Sequence, residues 1–267
     1  MLSITSDYAA DTGCPEPYLK RIADAGFTHV HWCHQWNTDF MYCDAEIAQI
    51  AAWMRKLGLA LTDLHASDGK EKRWVSPREY ERVAGVELVK NRIAMTARLG
   101  ADVIIMHTGK EPEEDEPRER FWTQLRRSLD ELEPFARDHG VRIAVENGQF
   151  GVIRRLLDAY GPDFLGLCYD CGHGNLDPDG LDQAEALKDR LISVHLHDND
   201  GTGDQHRLLF TGTVDWARLA SLLATSAYEK CVSMEVSMKN SDIKDEVPFL
   251  NKAFETGSKL SEMVAQA

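Results

Sequence analysis

Short apolar runs rich in β-branched residues alternate with longer amphipathic stretches eight times along this chain. The runs are LSIT at 2–5, FTHVHWC at 27–33 and LALTDLH at 59–65, followed by segments at 102–107, 141–146, 164–169, 191–196 and 231–236. Runs of this length suit strands buried on both faces, and the stretches between them suit helices. Helices are predicted over PEPYLKRIADAG, AEIAQIAAWMRKLG, PREYERVAGVELVKNRIAMTARLG, FWTQLRRSLDELEPFARDHG, GVIRRLLDAYG, the segment around LDQAEALKD, DWARLASLLATSAY and roughly 247–265. Gly26, Gly58, Gly100 and Gly140 each stand just before the next run, at the C′ position where a helix ends in left-handed backbone. The pattern predicts an α/β fold, a single (β/α)8 TIM barrel spanning 1–267. A doubly wound open sheet is the alternative, but no Gly-rich phosphate loop follows the first run.

The length of 267 residues matches the roughly 250 that one such barrel takes. With 30 basic and 44 acidic residues the net charge is −14, and no stretch concentrates Lys and Arg. That balance repels phosphate backbones and anionic membranes and disfavours nucleic acid as a partner. The N-terminus has neither a basic start nor a long apolar core, and no run of about 18 apolar residues occurs. The six thinly spread cysteines read as buried thiols of a reducing compartment. A cytoplasmic enzyme is expected. A homo-oligomer is compatible with the chain. The acidic run EPEEDEPRER at 111–120 reads as a solvated loop leading into a helix whose N-terminus favours negative charge.

Nine carboxylate and imidazole residues fall at or just beyond the C-terminal ends of six consecutive predicted strands. They are His65, His107, Glu146, Asp170, His173, His195, Asp204, His206 and Glu235. Barrel enzymes place their chemistry at that edge, because the βα loops there converge on one pocket. Glu146 and Glu235 end otherwise apolar strands, where an unpaired carboxylate costs several kcal/mol to bury. Asp170 and His173 are three apart across YDCGH, where Gly172 is read as permitting a tight turn; Asp170 alone also reads as a helix N-cap. His195 and His197 share a strand face and point toward the mouth, His195 the deeper. Cys168 and Cys171 read as packing residues rather than a redox pair. In THVHWCHQW, His29, His31, His34, Trp32, Gln35 and Trp36 read as a substrate wall, since aromatic faces pack against sugar rings.

These motifs resemble the superfamily of xylose-isomerase-like TIM barrels, which includes sugar phosphate isomerases and epimerases, inosose dehydratase and the apurinic/apyrimidinic endonucleases. The resemblance runs from HWCHQW to SMEVS and is most specific at VEN (145–147), YDCGH (169–173), VHLHD (194–198) and D-x-H (204–206). It implies one divalent metal held by Glu146, Asp170, His195 and Glu235, as in the isomerases and epimerases. It also offers His65, His107, His173, Asp204 and His206 as further ligands, as in the trinuclear zinc endonucleases. Many relatives follow D-x-H with a Pro-Gly-Glu-Gly turn. Here Leu209, Phe210 and Thr211 replace it within RLLFTGTVDW.

The expected function is a divalent-metal-dependent isomerase or epimerase of a small sugar or keto-polyol. It would abstract a proton next to a carbonyl and pass through a metal-stabilised enediolate. Glu146 and Glu235 would be the catalytic pair, with His34, Trp32, Trp36, His173 and His197 contacting substrate. A dehydratase or lyase uses the same enediolate. A zinc-dependent abasic-site endonuclease-like phosphodiesterase is the reading from another class, and nine intact candidate ligands argue against an inactive partner subunit. The His-rich set favours zinc or manganese over magnesium, with cobalt also compatible.

Overall fold

The computed structural model describes residues 1–267. Eight parallel strands form one sheet in the order β7-β6-β5-β4-β3-β2-β1-β8. They are β1 (Leu2–Thr5), β2 (His29–Trp32), β3 (Ala60–His65), β4 (Val103–Met106), β5 (Arg142–Glu146), β6 (Leu165–Asp170), β7 (Leu191–His195) and β8 (Val232–Met234). A parallel bridge between Leu196 and Met234 joins the two ends of the sheet. Leu196 N–H donates to Ser233 O at 3.1 Å and Glu235 N–H to Leu196 O at 3.0 Å. The sheet therefore closes into a (β/α)8 barrel, which leaves no open edge for another chain to pair with.

The helices that cover the barrel are α1 (Glu16–Asp24), α2 (Asp44–Leu57), α3 (Glu79–Arg98), α4 (Asp115–Asp138) and α5 (Phe150–Ala159). They continue as α6 (Cys171–Asn175), α7 (Gly180–Ala186), α8 (Trp216–Ala224) and α9 (Glu246–Gln266). Their apolar stripes pack on the outer face of the strands, as with Leu125, Leu129 and Leu132 of α4, which are fully buried. Each such side chain contributes about 1.5–3 kcal/mol of apolar burial. The four glycines before strands adopt the left-handed conformation, with φ between 64° and 97°. No helix is long and apolar enough to cross a membrane.

Two elements differ from the expectation. Helix α4 begins at Asp115, so six of the ten residues of the acidic run are helical rather than loop. Asp115 and Glu116 occupy the first turn, where the helix dipole favours them, and Glu116 pairs with Arg120 one turn on at 2.8 Å. The five-residue helix α6, directly after β6, has no amphipathic repeat long enough to reveal it in the sequence.

The barrel interior is divided. On one side Val103, Ile105, Ala144, Cys168 and Ile192 form a small apolar cluster. On the other, Ser3, His31, Asp63, Ser193 and Ser233 are buried polar residues. TIM barrels ordinarily fill this space with branched apolar side chains. The polar column leads upward to the site.

Candidate metal centre

Glu146, Asp170, His195 and Glu235 end or follow four neighbouring strands, and their ligand atoms lie within 4.8 Å of one another. His195 Nδ1 stands at the middle. It is 3.0 Å from Glu235 Oε2, 3.3 Å from Glu146 Oε2 and 4.0 Å from Asp170 Oδ2. All four are buried except for the rim of Glu235, whose side chain is 13% exposed.

Two further groups adjoin this one. His65 and His107 face each other through their Nε2 atoms at 3.1 Å, and both face Glu146 Oε2, at 3.7 and 3.4 Å. On the opposite flank, His173 Nε2 and His206 Nε2 lie 3.3 and 3.1 Å from Asp204 Oδ2. His173 Nδ1 reaches back to Glu146 Oε1 at 3.3 Å. All nine sequence-predicted positions are thus brought to one mouth.

Local structure aims these side chains. His65 Nδ1 donates to Ala66 O and His206 Nδ1 to Glu235 O, both at 2.8 Å, which leaves each Nε2 toward the site. His206 holds a left-handed backbone, φ 46°, to do so. Asp170 serves twice: Oδ1 accepts from His173 N–H at 2.7 Å as the N-cap of α6, while Oδ2 faces His197 Nε2 at 3.0 Å. Gly172 serves close approach rather than a tight turn, since a Cβ there would lie 1.9 Å from the His197 ring. Phe210, in the segment that replaces the Pro-Gly-Glu-Gly turn, is also left-handed at φ 65° and packs on Trp216, ring centroids 5.1 Å apart.

None of Glu146, Asp170, Asp204 and Glu235 has a Lys or Arg within ion-pair distance; their ion-pair partners are all histidines. Burial favours the neutral acid, yet His107 and His195 hold Glu146 well below the usual carboxylate range. His195 and His206 do the same for Glu235, and His197 and His173 lower Asp170. The neighbouring Asp170 raises His173 to about 12. Burial opposes the charge of His206, but Asp204 and Glu235 raise it to about 10. Burial and His107 lower His65 to about 3.

This donor set fits a divalent cation. Glu146 Oε2, His173 Nδ1 and both ring nitrogens of His195 are buried without a hydrogen-bond partner. Such orphaned atoms are costly, and a cation would meet the Glu146 oxygen and, with the imidazoles deprotonated, one lone pair on each ring. Carboxylate oxygen and imidazole nitrogen are ligands that zinc and manganese accept.

The expected substrate wall is only partly present. Trp36 lies against His65, ring centroids 4.5 Å apart, and borders the mouth, as does the partly exposed His173. His197 is fully buried beneath Asp170 and stacks on His206 at 4.0 Å, so its ring has no face open to the mouth. Trp32 is a core residue that donates to Tyr42 Oη at 3.2 Å. His34 donates to Gly13 O at 2.8 Å and lines a separate cavity of about 510 Å³ with Phe40, Tyr42 and Trp53. His29, near the opposite end of β2, bonds Thr28. The reason is parity: along β2, His31 and Cys33 point inward, and Val30 and Trp32 point to the helices.

Sequence reasoning missed Asp63, which accepts from His31 Nδ1 at 2.6 Å and from Ser193 Oγ at 2.5 Å. It also missed Asp7, which lines the mouth with Trp36, His206 and Glu235. Asp63 stands two before His65 on β3 and so shares its face, a signal that strand parity carried. Cys168 packs in the barrel interior as expected, and its Sγ also lies within 4.8 Å of ligand atoms of Glu146 and His195.

The family described as xylose isomerase-like TIM barrel matches residues 19–253. The uncharacterized protein y4fM of Sinorhizobium fredii is 32% identical over 278 aligned positions, covering 93% of this chain and 89% of that protein. The fold matches a D-tagatose 3-epimerase-like protein with a TM-score of 0.80 at 19% identity, over 99% of this chain and 98% of that one. It also matches an L-ribulose 3-epimerase, TM-score 0.81 at 18% identity, over 99% and 95%. At such identities the likeness to the solved structures concerns the fold. The match over residues 19–253 settles the family: the chain belongs to the xylose isomerase-like TIM barrels.

Proposed function

We propose that this protein is a divalent-metal-dependent isomerase or epimerase of a small sugar or keto-polyol, moving a proton at a carbon next to a carbonyl. The observation that carries the reading is the convergence of Glu146 and Glu235, from β5 and the end of β8, on His195 Nδ1 at 3.3 and 3.0 Å, with no Lys or Arg beside them. The epimerase names of two proteins sharing the fold support it. Glu146, Asp170, His195 and Glu235 would hold the cation. When bound, the cation polarises a carbonyl and its neighbouring hydroxyl.

The chain's own residues supply the rest. Both glutamates are held ionised, so either can accept the C–H proton. The other could return one from a second direction only after taking up a proton itself, from solvent or from a charged imidazole beside it. The first glutamate would release its proton to solvent to complete the cycle. His173, charged through Asp170, would donate to a substrate hydroxyl or carbonyl oxygen. Trp36 would cover one face of the sugar. Burial of Glu146, Asp170 and His195 limits water at the site, while Glu235, at the cleft, keeps a route by which protons exchange with solvent.

The test is solvent exchange in deuterated water with metal bound. A ketose or related keto-sugar should take up deuterium at the carbon beside the carbonyl, or convert to its epimer or aldose. Neither uptake nor conversion over a broad panel, with metal demonstrably present, would overturn the reading.

A second reading is favoured by the nine ligand-type residues falling into three adjoining groups. That arrangement would suit three zinc ions and a phosphodiester substrate. The net charge of −14 opposes association with DNA. Three zincs per chain and efficient nicking of an abasic duplex would support this reading; one cation and no nicking would reject it.

A further inference from the structure

Glu235 has two oxygens, and they face different neighbours. Oε2 faces His195 in the central group at 3.0 Å. Oε1 turns the other way, toward Cys33 Sγ at 3.5 Å and His31 Nε2 at 3.8 Å. Cys33 Sγ and His31 Nε2 are themselves 2.8 Å apart. We propose that His31, Cys33 and Glu235 form a second, sulfur-containing cation site, bridged to the central group through the Glu235 carboxylate, with zinc as the cation it prefers.

Three features of the molecule argue for it. The first is geometry. Zinc–sulfur bonds of about 2.3 Å and zinc–nitrogen or zinc–oxygen bonds of about 2.0 Å, at tetrahedral angles, separate ligand atoms by about 3.3–3.5 Å. The Cys33–Glu235 separation of 3.5 Å already fits, while the His31–Cys33 separation of 2.8 Å must open by about 0.7 Å and the His31–Glu235 separation of 3.8 Å close by about 0.5 Å, both of which a swing of the His31 ring away from Cys33 and toward Glu235 supplies.

The second is the support behind His31. Its Nδ1 donates to Asp63 at 2.6 Å, and Asp63 is in turn held by Ser193 at 2.5 Å, all three being fully buried. A ligating histidine typically has its other nitrogen fixed by a carboxylate in this way, which sets the tautomer and aims the free lone pair. A histidine that merely filled the core would not require a buried, ionised aspartate at its back.

The third is access and charge. Glu235 lines a cleft of about 360 Å³ with Asp7, Trp36 and His206, so the group has an entry path despite the burial of His31 and Cys33. Asp7, Asp63 and Glu235 surround the pair, and no Lys or Arg lies within ion-pair distance of His31 or of Glu235. On binding, Cys33 would ligate as the thiolate and release its proton to solvent. A thiolate selects zinc over magnesium or manganese.

The site does not depend on the central group holding a cation, so the two can be tested apart. The experiment loads the full chain with cobalt(II) and follows the near-ultraviolet thiolate-to-cobalt charge-transfer band together with bound metal per chain. The wild type should show the band. Cys33→Ser and His31→Asn should each lose it along with one equivalent of metal. Glu146→Gln and Asp170→Asn, which strike only the central group, should keep it. Asp63→Asn should weaken the band's apparent affinity by about 10–100-fold while leaving its saturated intensity. Absence of the band in the cobalt-loaded wild type would overturn the proposal, whether or not any variant folds. So would a band that survives Cys33→Ser and disappears with Cys168→Ser.

Discussion

The two ends of this barrel pair their acids in opposite ways, with a half-exposed acid at one end and mostly buried ones at the other. At the N-terminal end, Asp102 meets Lys230 at 2.5 Å and Arg142 at 3.5 Å, and Lys230 also donates to Thr62 O at 2.9 Å. At the C-terminal end, the only cationic-type partners of Glu146, Asp170, Asp204 and Glu235 are histidines. Lysine and arginine neutralise an acid permanently. Histidine can release its proton and turn a lone pair toward whatever cation replaces it. The first end carries fixed charges, and the second carries charges that protons can change.

The contrast breaks if the histidine-paired acids prove merely structural. Glu146→Gln and Glu235→Gln should each lower turnover by about 10²–10⁴-fold, the range of general acid–base catalysis, with unchanged far-ultraviolet circular dichroism. Retention of full activity in both variants would place the chemistry elsewhere.

Removal of metal should distinguish the ends thermodynamically. With free cation at 100 times its dissociation constant, the bound form is stabilised by about 2.7 kcal/mol, and a chelator should lower the melting temperature accordingly. Asp102→Asn should show the same chelator-induced drop, because its ion pairs lie at the other end.

The pH dependence of the metal-free protein sharpens the same point. Glu146, Asp170 and Glu235 have folded values below their unfolded ones, so their contribution is present above about pH 4.5 and lost as pH falls through the folded values. His173 and His206 are raised to about 12 and about 10, so theirs is complete below about pH 6.5 and lost as pH rises through those values. His65, lowered to about 3, works in the opposite sense and its share is lost as pH falls below about 6.5, so metal-free stability should peak toward the upper end of the window, near about pH 6.5. Bound cation should shift the optimum upward, since it replaces the histidine protons. Denaturant melts across pH with and without metal test this; identical profiles would remove the cation from the account.

Gly172→Ala should cost about 1–3 kcal/mol by forcing the added methyl against the His197 ring, and should weaken metal binding through Asp170. The smallest effect belongs to Asp102→Asn. Asp102 is half exposed and its ion pairs are screened by solvent, so a loss of at most about 1 kcal/mol is expected, with metal content unchanged.

The sequence by itself determined the barrel and the ligand-type residues at its mouth. Eight apolar runs with helical spacing and glycine stops leave few closed architectures, and a polar residue at the end of an apolar run has only the strand edge to occupy. What the tertiary structure decided was which side chains meet. Trp32 and His34 read as a substrate wall because aromatic and imidazole groups cluster in THVHWCHQW, yet strand parity turns Trp32 to the core, and His34 faces a separate cavity. Asp63 looked like one polar residue in a strand until closure of the sheet set it beside His31, 32 positions away, and Ser193, 130 positions away. The double duty of Asp170 and the two-sided reach of Glu235 also depend on neighbours from other strands. Periodicity along a chain reports direction from the backbone. Only the closed barrel, with its tilt and register, sets the distances across it.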